Sequence, residues 1–344
     1  MGLFTKKPKI KIFMVGGRRC GKSTVLASMW NNADATLSGT NLTLTAGNVM
    51  INKLQDTVDL SQSYFDAPDM ESFVTVSDDN ASSSLDSFDF SLDLAGKKTG
   101  ISLQFVDVPG EFFAKPDDFD AVKEEIRESH VIIFAIDTPC LMEDMKEDQD
   151  GNPMYGERHI SNNKPSHITH FIKDELKVED IEDRLILFVP IKCEKYYYRG
   201  EMRQVVEAVK KGYGELLQYL ASPNLAGHCT AAVLPIISLG GLEFFGFKNN
   251  DISPTASQEY IYHANNGNLA EYRPLYCDQP LLYSLAYILK TQDSHRTGPI
   301  WALRSLLFGT PDGKALSKEL QPLVEKINRD AEKGFVLLQN PLQL

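Results

Sequence analysis

Gly16-Gly17-Arg18-Arg19-Cys20-Gly21-Lys22-Ser23-Thr24 is the most informative stretch of this sequence. Residues 16–23 fit the pattern G-x-x-x-x-G-K-[ST], in which glycines allow successive backbone amides to point at phosphate oxygens. A strand pattern ends just before the stretch, and a helical pattern, Lys22 to Asn31, begins within it, so the positive end of that helix faces the same loop. We therefore expect residues 16–24 to bind a nucleoside triphosphate, with Lys22 on the β- and γ-phosphates and Ser23 on Mg²⁺.

A second short motif, Asp107-Val108-Pro109-Gly110-Glu111, lies where the strand pattern Ile101 to Val108 ends. An aspartate at the carboxyl end of a strand is well placed to hold Mg²⁺ through water, and the amide of Gly110 can approach a γ-phosphate. The pattern D-x-x-G is common by itself, but it is more specific on a strand that follows a phosphate-binding loop. The two motifs together predict a metal site shared by Ser23 and Asp107.

The rest of the chain shows the periodicity of alternating strands and helices. Continuous apolar runs indicate strands buried on both faces of a sheet: Val131 to Ile136, Leu185 to Ile191 and Ala231 to Ile237. Phe88 to Leu94 alternates between apolar and polar residues, which predicts an antiparallel hairpin with Ile101 to Val108. These patterns favour an α/β fold: a three-layer domain with a mostly parallel sheet, insertions and a C-terminal helical extension.

The sequence also suggests where the domain is interrupted. We expect one nucleotide-binding domain over residues 1–290 and the helical extension over residues 291–344. Residues 32–84 form a long polar insert, and residues 141–165 form an acidic insert that we expect to be a solvated loop. Residues 242–278 are rich in aromatic residues, asparagine and glycine, and we expect them to be irregular.

The order of these features resembles the GTPase class of P-loop NTPases, in the arrangement of the Ras-like proteins. The motif at residues 107–111 and the segment Tyr272-Arg273-Pro274-Leu275-Tyr276-Cys277-Asp278-Gln279-Pro280-Leu281 also resemble the bacterial double-GTPase-type proteins, which are usually placed with prokaryotic conflict or defence systems. The resemblance covers residues 9 to about 290. It implies a switch that binds GTP with Mg²⁺, hydrolyses it slowly to GDP, and signals to an unknown protein partner through its switch segments.

Guanine recognition in this class depends on an [NT]-K-x-D motif after the second buried strand. Here that place holds Ile191-Lys192-Cys193-Glu194, in which Ile191 lacks the polar side chain of the family motif. The resemblance implies that Lys192 lies along the purine ring and that Glu194 accepts hydrogen bonds from guanine N–H groups. Ser238 and Leu239, after the third buried strand, are candidates for a second loop that contacts the base. The alternative is an exposed lysine and glutamate at an ordinary strand end.

The resemblance also implies switch and catalytic residues. Thr75 is our candidate for the switch threonine that completes the Mg²⁺ coordination, and Ser82 to Ser84 are alternatives. Glu111 stands where many GTPases have a glutamine that orients the attacking water. A carboxylate accepts a hydrogen bond from water but donates none to the transition state, so we expect slow hydrolysis. Arg18 and Arg19 either reach the phosphates or lie exposed on the loop.

Composition excludes several other classes. The 344 residues carry a formal net charge of −12, which repels a nucleic-acid backbone, so we expect no nucleic-acid partner. No apolar run is long enough to span a membrane, and five widely spaced cysteines fit a reduced, cytoplasmic protein. Two other function classes stay open. One is a P-loop ATPase or phosphotransferase, and the other is a scaffold of a bacterial defence or effector complex that nucleotide only stabilises.

Overall fold

The protein is described by a computed structural model that covers residues 9–17, 20–65, 74–76, 85–94, 97–110, 119–149, 153–176, 183–248, 259–264, 271–291, 318–330 and 335–341. The strands are β1 (Lys9–Gly16), β2 (Leu42–Ala46), β3 (Val74–Val76), β4 (Asp86–Leu94), β5 (Lys97–Asp107), β6 (Val131–Asp137), β7 (Lys146–Glu147), β8 (Pro153–Met154), β9 (Arg184–Ile191), β10 (Cys229–Val233), β11 (Leu242–Phe247), β12 (Tyr260–Ala264) and β13 (Val336–Gln339). The α-helices are α1 (Lys22–Asn31), α2 (Ala33–Leu37), α3 (Asn48–Ser63), α4 (Phe119–Arg127), α5 (Thr138–Met142), α6 (Pro165–Glu175), α7 (Glu194–Tyr198), α8 (Met202–Gly212), α9 (Gly214–Leu220), α10 (Gln279–Thr291) and α11 (Leu320–Asp330), and a π-helical turn spans His159–Asn163.

An eight-stranded sheet forms the centre of the fold, in the order β13-β10-β9-β6-β1-β5-β4-β2. The strands from β10 to β5 pair in parallel, whereas β4, β2 and β13 join the two edges antiparallel. This topology confirms the predicted α/β class, the mostly parallel sheet and the hairpin of β4 and β5. Because β1 lies between β5 and β6, the loop that follows β1 begins at the middle of the sheet.

Helices cover both faces of this sheet, and the alternation of side chains along β1 shows how. Ile12 and Met14 belong to a core shared with α1, α3, α10 and α11. Phe13 and Val15 point the other way, into a core shared with α4, α6, α8 and α9. Successive side chains of a strand face opposite sides, so a strand buried on both faces is apolar throughout. The three layers are therefore those expected from the sequence.

A second, three-stranded sheet has the order β11-β12-β3. The expectation that residues 242–278 are irregular is therefore wrong for β11 and β12. Tyr260 and Tyr262 are buried with Phe244 on one face of this sheet, which is the alternation of a half-buried strand. This short alternation is difficult to recognise in the sequence because its buried positions are tyrosines, and tyrosine carries a polar hydroxyl group. The sheet also brings β3, from the long polar insert, beside β12.

Two further segments differ from expectation. The C-terminal segment contains the helix α11, as expected, but it also supplies β13, which pairs with β10 at the sheet edge. In the acidic insert, His159 and Asn163 are buried, so the expectation of a solvated loop is wrong for its last residues. The position of a domain boundary at residue 290 stays a prediction. Within the described ranges, no helix combines the length and the apolar character that crossing a membrane requires.

Candidate nucleotide-binding site

The loop after β1 has the backbone geometry that its glycines require. Gly21 adopts a left-handed conformation with φ of 104°, directly before the first residue of α1. The amide of Cys20 donates to the carbonyl of Gly17 (3.4 Å), which curls the loop back on itself. Lys22 is only 8% exposed, and its Nζ donates to the same carbonyl (3.4 Å). The lysine is therefore folded over its own loop.

The two predicted metal-site residues meet at the carboxyl ends of β1 and β5. Ser23 Oγ donates to Asp107 Oδ2 (3.0 Å), and Lys22 Nζ lies 3.7 Å from Asp107 Oδ1. Burial raises the pKa of the Asp107 carboxyl, while the Lys22 ammonium and the bond from Ser23 act in the opposite direction. The structure thus brings the carboxylate of Asp107 to the ammonium and hydroxyl of Lys22 and Ser23, which lie more than 80 residues earlier in the sequence.

These residues fit a Mg²⁺ ion that is held partly by the nucleotide. Asp107 Oδ1 is buried and has no hydrogen-bond partner among the described residues, so it has capacity for a further interaction. Among those same residues, no group of three or more histidines, cysteines and acidic residues is arranged to hold a metal. Mg²⁺ commonly takes one or two protein oxygens and completes its coordination with phosphates and water. Ser23 and Asp107 are the residues that would hold it.

Asp137, at the end of β6, is the centre of a buried polar cluster that sequence reasoning missed. Its Oδ2 accepts hydrogen bonds from Lys192 Nζ (2.7 Å) and from the Tyr260 hydroxyl (2.6 Å). Its Oδ1 accepts from the amide of Cys140 (3.0 Å) and so caps α5. The Lys192 ammonium also lies 3.5 Å from the centroid of the Tyr260 ring. The signal for Asp137 was available, because it ends an apolar strand in the same way as Asp107.

The candidate base-reading residues also come together, at the ends of β9 and β10. Lys192 has a positive φ of 60°, and its amide donates to Ser238 Oγ (3.1 Å). Glu194 is fully buried, and its Oε1 accepts from the amide of Leu239 (2.7 Å). Its Oε2 has no hydrogen-bond partner among the described residues. Burial raises the pKa of Glu194, and nearby backbone N–H groups, that of Leu239 first, oppose this. The role of these four residues in base recognition stays a prediction.

The segment that follows β12 is hydrogen-bonded to the loop at residues 238–241. The carbonyl of Leu239 accepts from the amide of Arg273 (3.0 Å), and Gly240 forms a β-bridge with Tyr272. Gly240 has a φ of 85°, and a Cβ there would lie 2.2 Å from the carbonyl oxygen of Arg273. Only glycine fits such a close backbone approach. The segment beginning at Tyr272, which carried part of the family resemblance, thus shapes the loop at residues 238–241.

Three consecutive residues at the end of the acidic insert also contact the candidate site. A Cβ on Gly17 would lie 2.2 Å from the carbonyl oxygen of Asn162, so the insert packs directly on the candidate phosphate loop, residues 16–23. The Asn163 side chain accepts from the amide of Asp137 (2.8 Å) and donates to its carbonyl (3.0 Å). Lys164 Nζ donates to the carbonyl of Gly110 (3.4 Å). No local sequence pattern indicates these contacts, because they are made with residues distant along the chain.

The structure describes some of the remaining predicted site residues and not others. Thr75 lies in β3, paired with Ile261 of β12. Thr24 follows Ser23 in the first turn of α1 and is partly exposed. Glu111, Arg18, Arg19 and the alternatives Ser82 to Ser84 lie outside the described residues. Their roles stay predictions.

Comparison with known proteins gives no family assignment. No family model and no curated protein matches the sequence. Among solved structures, the LeoA bacterial dynamin GTPase from ETEC is 15% identical with a TM-score of 0.32, and the match covers 94% of this chain and 39% of that one. The GTPase-like domain of S. cerevisiae Ski7, bound to GTP, is 13% identical with a TM-score of 0.32, and the match covers 69% of this chain and 44% of that one. The small COPII coat GTPase SAR1 from Encephalitozoon cuniculi, in complex with GDP, is 10% identical with a TM-score of 0.22, and the match covers 96% of this chain and 85% of that one. The chain spans less than half the length of the first two proteins.

Proposed function

We propose that this chain is a Mg²⁺-dependent guanine-nucleotide switch that binds GTP, hydrolyses it slowly to GDP and signals to a protein partner through its switch segments. The observation that carries the proposal is the meeting of Ser23 with the buried Lys22 and Asp107 where β1 and β5 end. A phosphate loop that merely stabilised the fold would need neither the ammonium nor the carboxylate at this point. Both are costly to bury, and a triphosphate with Mg²⁺ would add favourable interactions for each beyond the 3.7 Å contact between Lys22 and Asp107.

The preference for guanine is supported by Glu194. A buried carboxylate oxygen without a hydrogen-bond donor is costly, and Oε2 of this residue is such an atom among the described residues. The paired N–H groups of guanine would satisfy it, whereas the N1 acceptor of adenine would not. Because Glu194 is fully buried, base binding requires the loop at residues 238–241 to open.

In the hydrolytic step the protein mainly has to position the reacting groups and neutralise their charge. Water attacks the γ-phosphorus, the bond from that phosphorus to the β–γ bridging oxygen breaks, and GDP leaves with the bridging oxygen. Bound Mg²⁺ would neutralise charge on the β- and γ-phosphate oxygens. Lys22 would add a second positive charge. Glu111 has no proton to donate to the transition state when ionised, and we therefore propose a slow rate without a partner.

Thermal unfolding with Mg²⁺ and, separately, GTP, GDP and ATP tests the proposal. Ligand at 100 times its dissociation constant stabilises a protein by about 2.7 kcal/mol, which for a chain of this size is a shift of about 2–4 °C. We expect this shift with GTP and GDP and none with ATP. Lys22→Ala should abolish it, and Lys9→Ala, which removes an exposed lysine at the other end of β1, should leave it unchanged.

The opposite results would contradict the proposal in different ways. Stabilisation by ATP alone would favour an ATPase or phosphotransferase. Retention of the full shift by Lys22→Ala would remove the phosphate loop from nucleotide binding. No shift with any nucleotide, in protein shown to carry none already, would leave a scaffold.

A further inference from the structure

The end of the acidic insert is attached to the candidate site at three separate places. We call Asn162, Asn163 and Lys164 the clamp turn. Asn162 packs against the phosphate loop at Gly17, and Asn163 binds both backbone groups of Asp137 at the end of β6. Lys164 donates to the carbonyl of Gly110, in the D-x-x-G motif. Contacts from three adjacent residues to three separated segments indicate that this turn sets the distances between those segments.

The two contacts at the ends of the clamp turn lie on the segments that a γ-phosphate would touch. Gly17 belongs to the loop whose amides cradle phosphates, and Gly110 is the glycine whose amide is expected at the γ-phosphate. A glycine has no side chain to fix its peptide orientation, so the partners of its backbone groups do so. The Lys164 ammonium is such a partner, and it also brings positive charge to a chain whose net charge is −12.

The turn is itself held in this position by its backbone and by a buried side chain. Its backbone leaves the π-helical turn at Lys164, which has a φ of 48°, and Pro165 then begins α6. Asn163 is only 1% exposed and also contacts His159 through its side-chain amide (3.0 Å). A rigid support of this kind is what lets one side chain position another group accurately.

We propose that Lys164 is a positioning residue: by holding the carbonyl of Gly110 it fixes the position of this glycine, whose amide is expected at the γ-phosphate, so that the clamp turn makes this protein prefer GTP to GDP. The inference rests on the proposed function, and it assigns the origin of triphosphate selectivity to the acidic insert. Because the amide of Gly110 is expected at the γ-phosphate, which a diphosphate lacks, loss of the lysine should weaken binding of the triphosphate only.

The test is to compare the affinities of Lys164→Ala for GTPγS and for GDP, each with Mg²⁺, against the wild-type protein. A hydrogen bond to a charged group contributes about 1.5 kcal/mol or more, so we expect an affinity for GTPγS that is about tenfold lower, with that for GDP unchanged. Lys164→Arg, which keeps a long cationic donor, should restore the wild-type ratio. Lys146→Ala, which removes an exposed lysine of the same insert, is the matched control and should behave as the wild type.

Other outcomes separate this inference from the proposed function. Wild-type protein that binds both nucleotides, together with a Lys164→Ala variant that loses affinity for both equally or for neither, would overturn the inference and leave the proposed function intact. Wild-type protein that binds neither nucleotide would overturn both. If Lys164→Ala does not fold, Lys164→Met, which keeps most of the aliphatic stem, gives the same comparison.

Discussion

His159 packs against the clamp turn and is buried as a neutral imidazole. Its Nδ1 contacts the side-chain amide of Asn163, and its ring packs against Tyr155 and Tyr213. Its Nε2 is buried and has no hydrogen-bond partner among the described residues. Burial lowers the pKa of His159 to about 4. Protonation would place a charge among aromatic rings directly behind the turn that touches Gly17.

The pH dependence of stability follows from this residue. A histidine whose pKa is lower in the folded than in the unfolded state contributes stability that is full above about pH 6.5 and is lost as the pH falls towards 4. We expect His159→Phe to lose less stability than the wild type between pH 7 and pH 4, by an amount of the order of 1–3 kcal/mol. Urea unfolding at several pH values measures this, and the exposed His170→Gln should follow the wild-type curve.

Buried acidic residues of the same protein change the pH dependence of stability in the opposite direction. Burial raises the pKa values of Asp107 and Glu194, so their contribution to stability is present at low pH and is lost as the pH rises through the raised values. His130, whose pKa burial and the nearby Arg184 and Lys11 lower to about 4, acts in the same direction as His159. All of these groups remain in the variant, so the difference between the two curves isolates His159. Identical curves would contradict the prediction.

Asp137 joins elements from both sheets. Through one carboxylate it binds α5, the Lys192 side chain at the end of β9, and the Tyr260 hydroxyl of β12. Burial, with Asp137 next in effect, raises the pKa of Tyr260, which keeps its hydroxyl a donor. The small sheet is thus attached to the main sheet beside the candidate site. Since β12 also pairs with β3, the strand of Thr75 is connected to Lys192 through Tyr260.

Removal of this carboxylate should be strongly destabilising. Asp137→Asn removes the carboxylate that pairs with the buried ammonium of Lys192, and breaking a buried pair in this way costs about 3–5 kcal/mol. Adding Lys192→Met should recover part of this loss, because the two residues act as a pair and their effects are not additive. Denaturant unfolding of the two single variants and the double variant measures the coupling. Glu215→Gln, in an exposed pair with Lys173, should change stability little, and a similar loss there would contradict the argument.

Patterns among neighbouring residues of the sequence predict local structure well. Val131 to Ile136 is apolar throughout because β6 is covered on both faces, and a glycine at position 21 indicates the left-handed backbone found there. Tyr260 and Lys164 could not be found in this way. Their partners, Asp137 and Gly110, lie far away along the chain, and nothing near either residue in the sequence indicates a functional neighbour.

At the scale of the whole molecule, the sheet depends on contacts between distant parts of the chain. β1 pairs with β5, and β13 returns from the C-terminal segment to pair with β10. Gln339 strengthens this edge, since its side-chain amide donates to the carbonyls of Leu220 (3.3 Å), Ala226 (3.1 Å) and Cys229 (2.6 Å). Periodicity did not reveal β13, because a run as short as Val336–Gln339 is ambiguous between helix and strand.

Deletion of residues 335–344 should therefore destabilise the whole domain. The backbone groups of β10 that pair with β13 would become an open sheet edge, which promotes association between molecules. We expect a lower Tm and concentration-dependent aggregation, measured by thermal unfolding and light scattering. Gln339→Ala should lower the Tm less and cause no aggregation, because it keeps the strand. A deletion variant with the Tm and the light scattering of the full chain would show that β13 is dispensable.

The pairing of β10 with β13 also has a consequence for the newly made chain on the ribosome. Val233 pairs with Val336, and about 100 residues must be translated between them, which takes roughly 5–20 s at ordinary rates. The phosphate loop and the clamp turn are both complete long before that. During this interval the edge of β10 has no partner strand, so a chaperone has a defined time in which to act before the C-terminal strand closes the sheet.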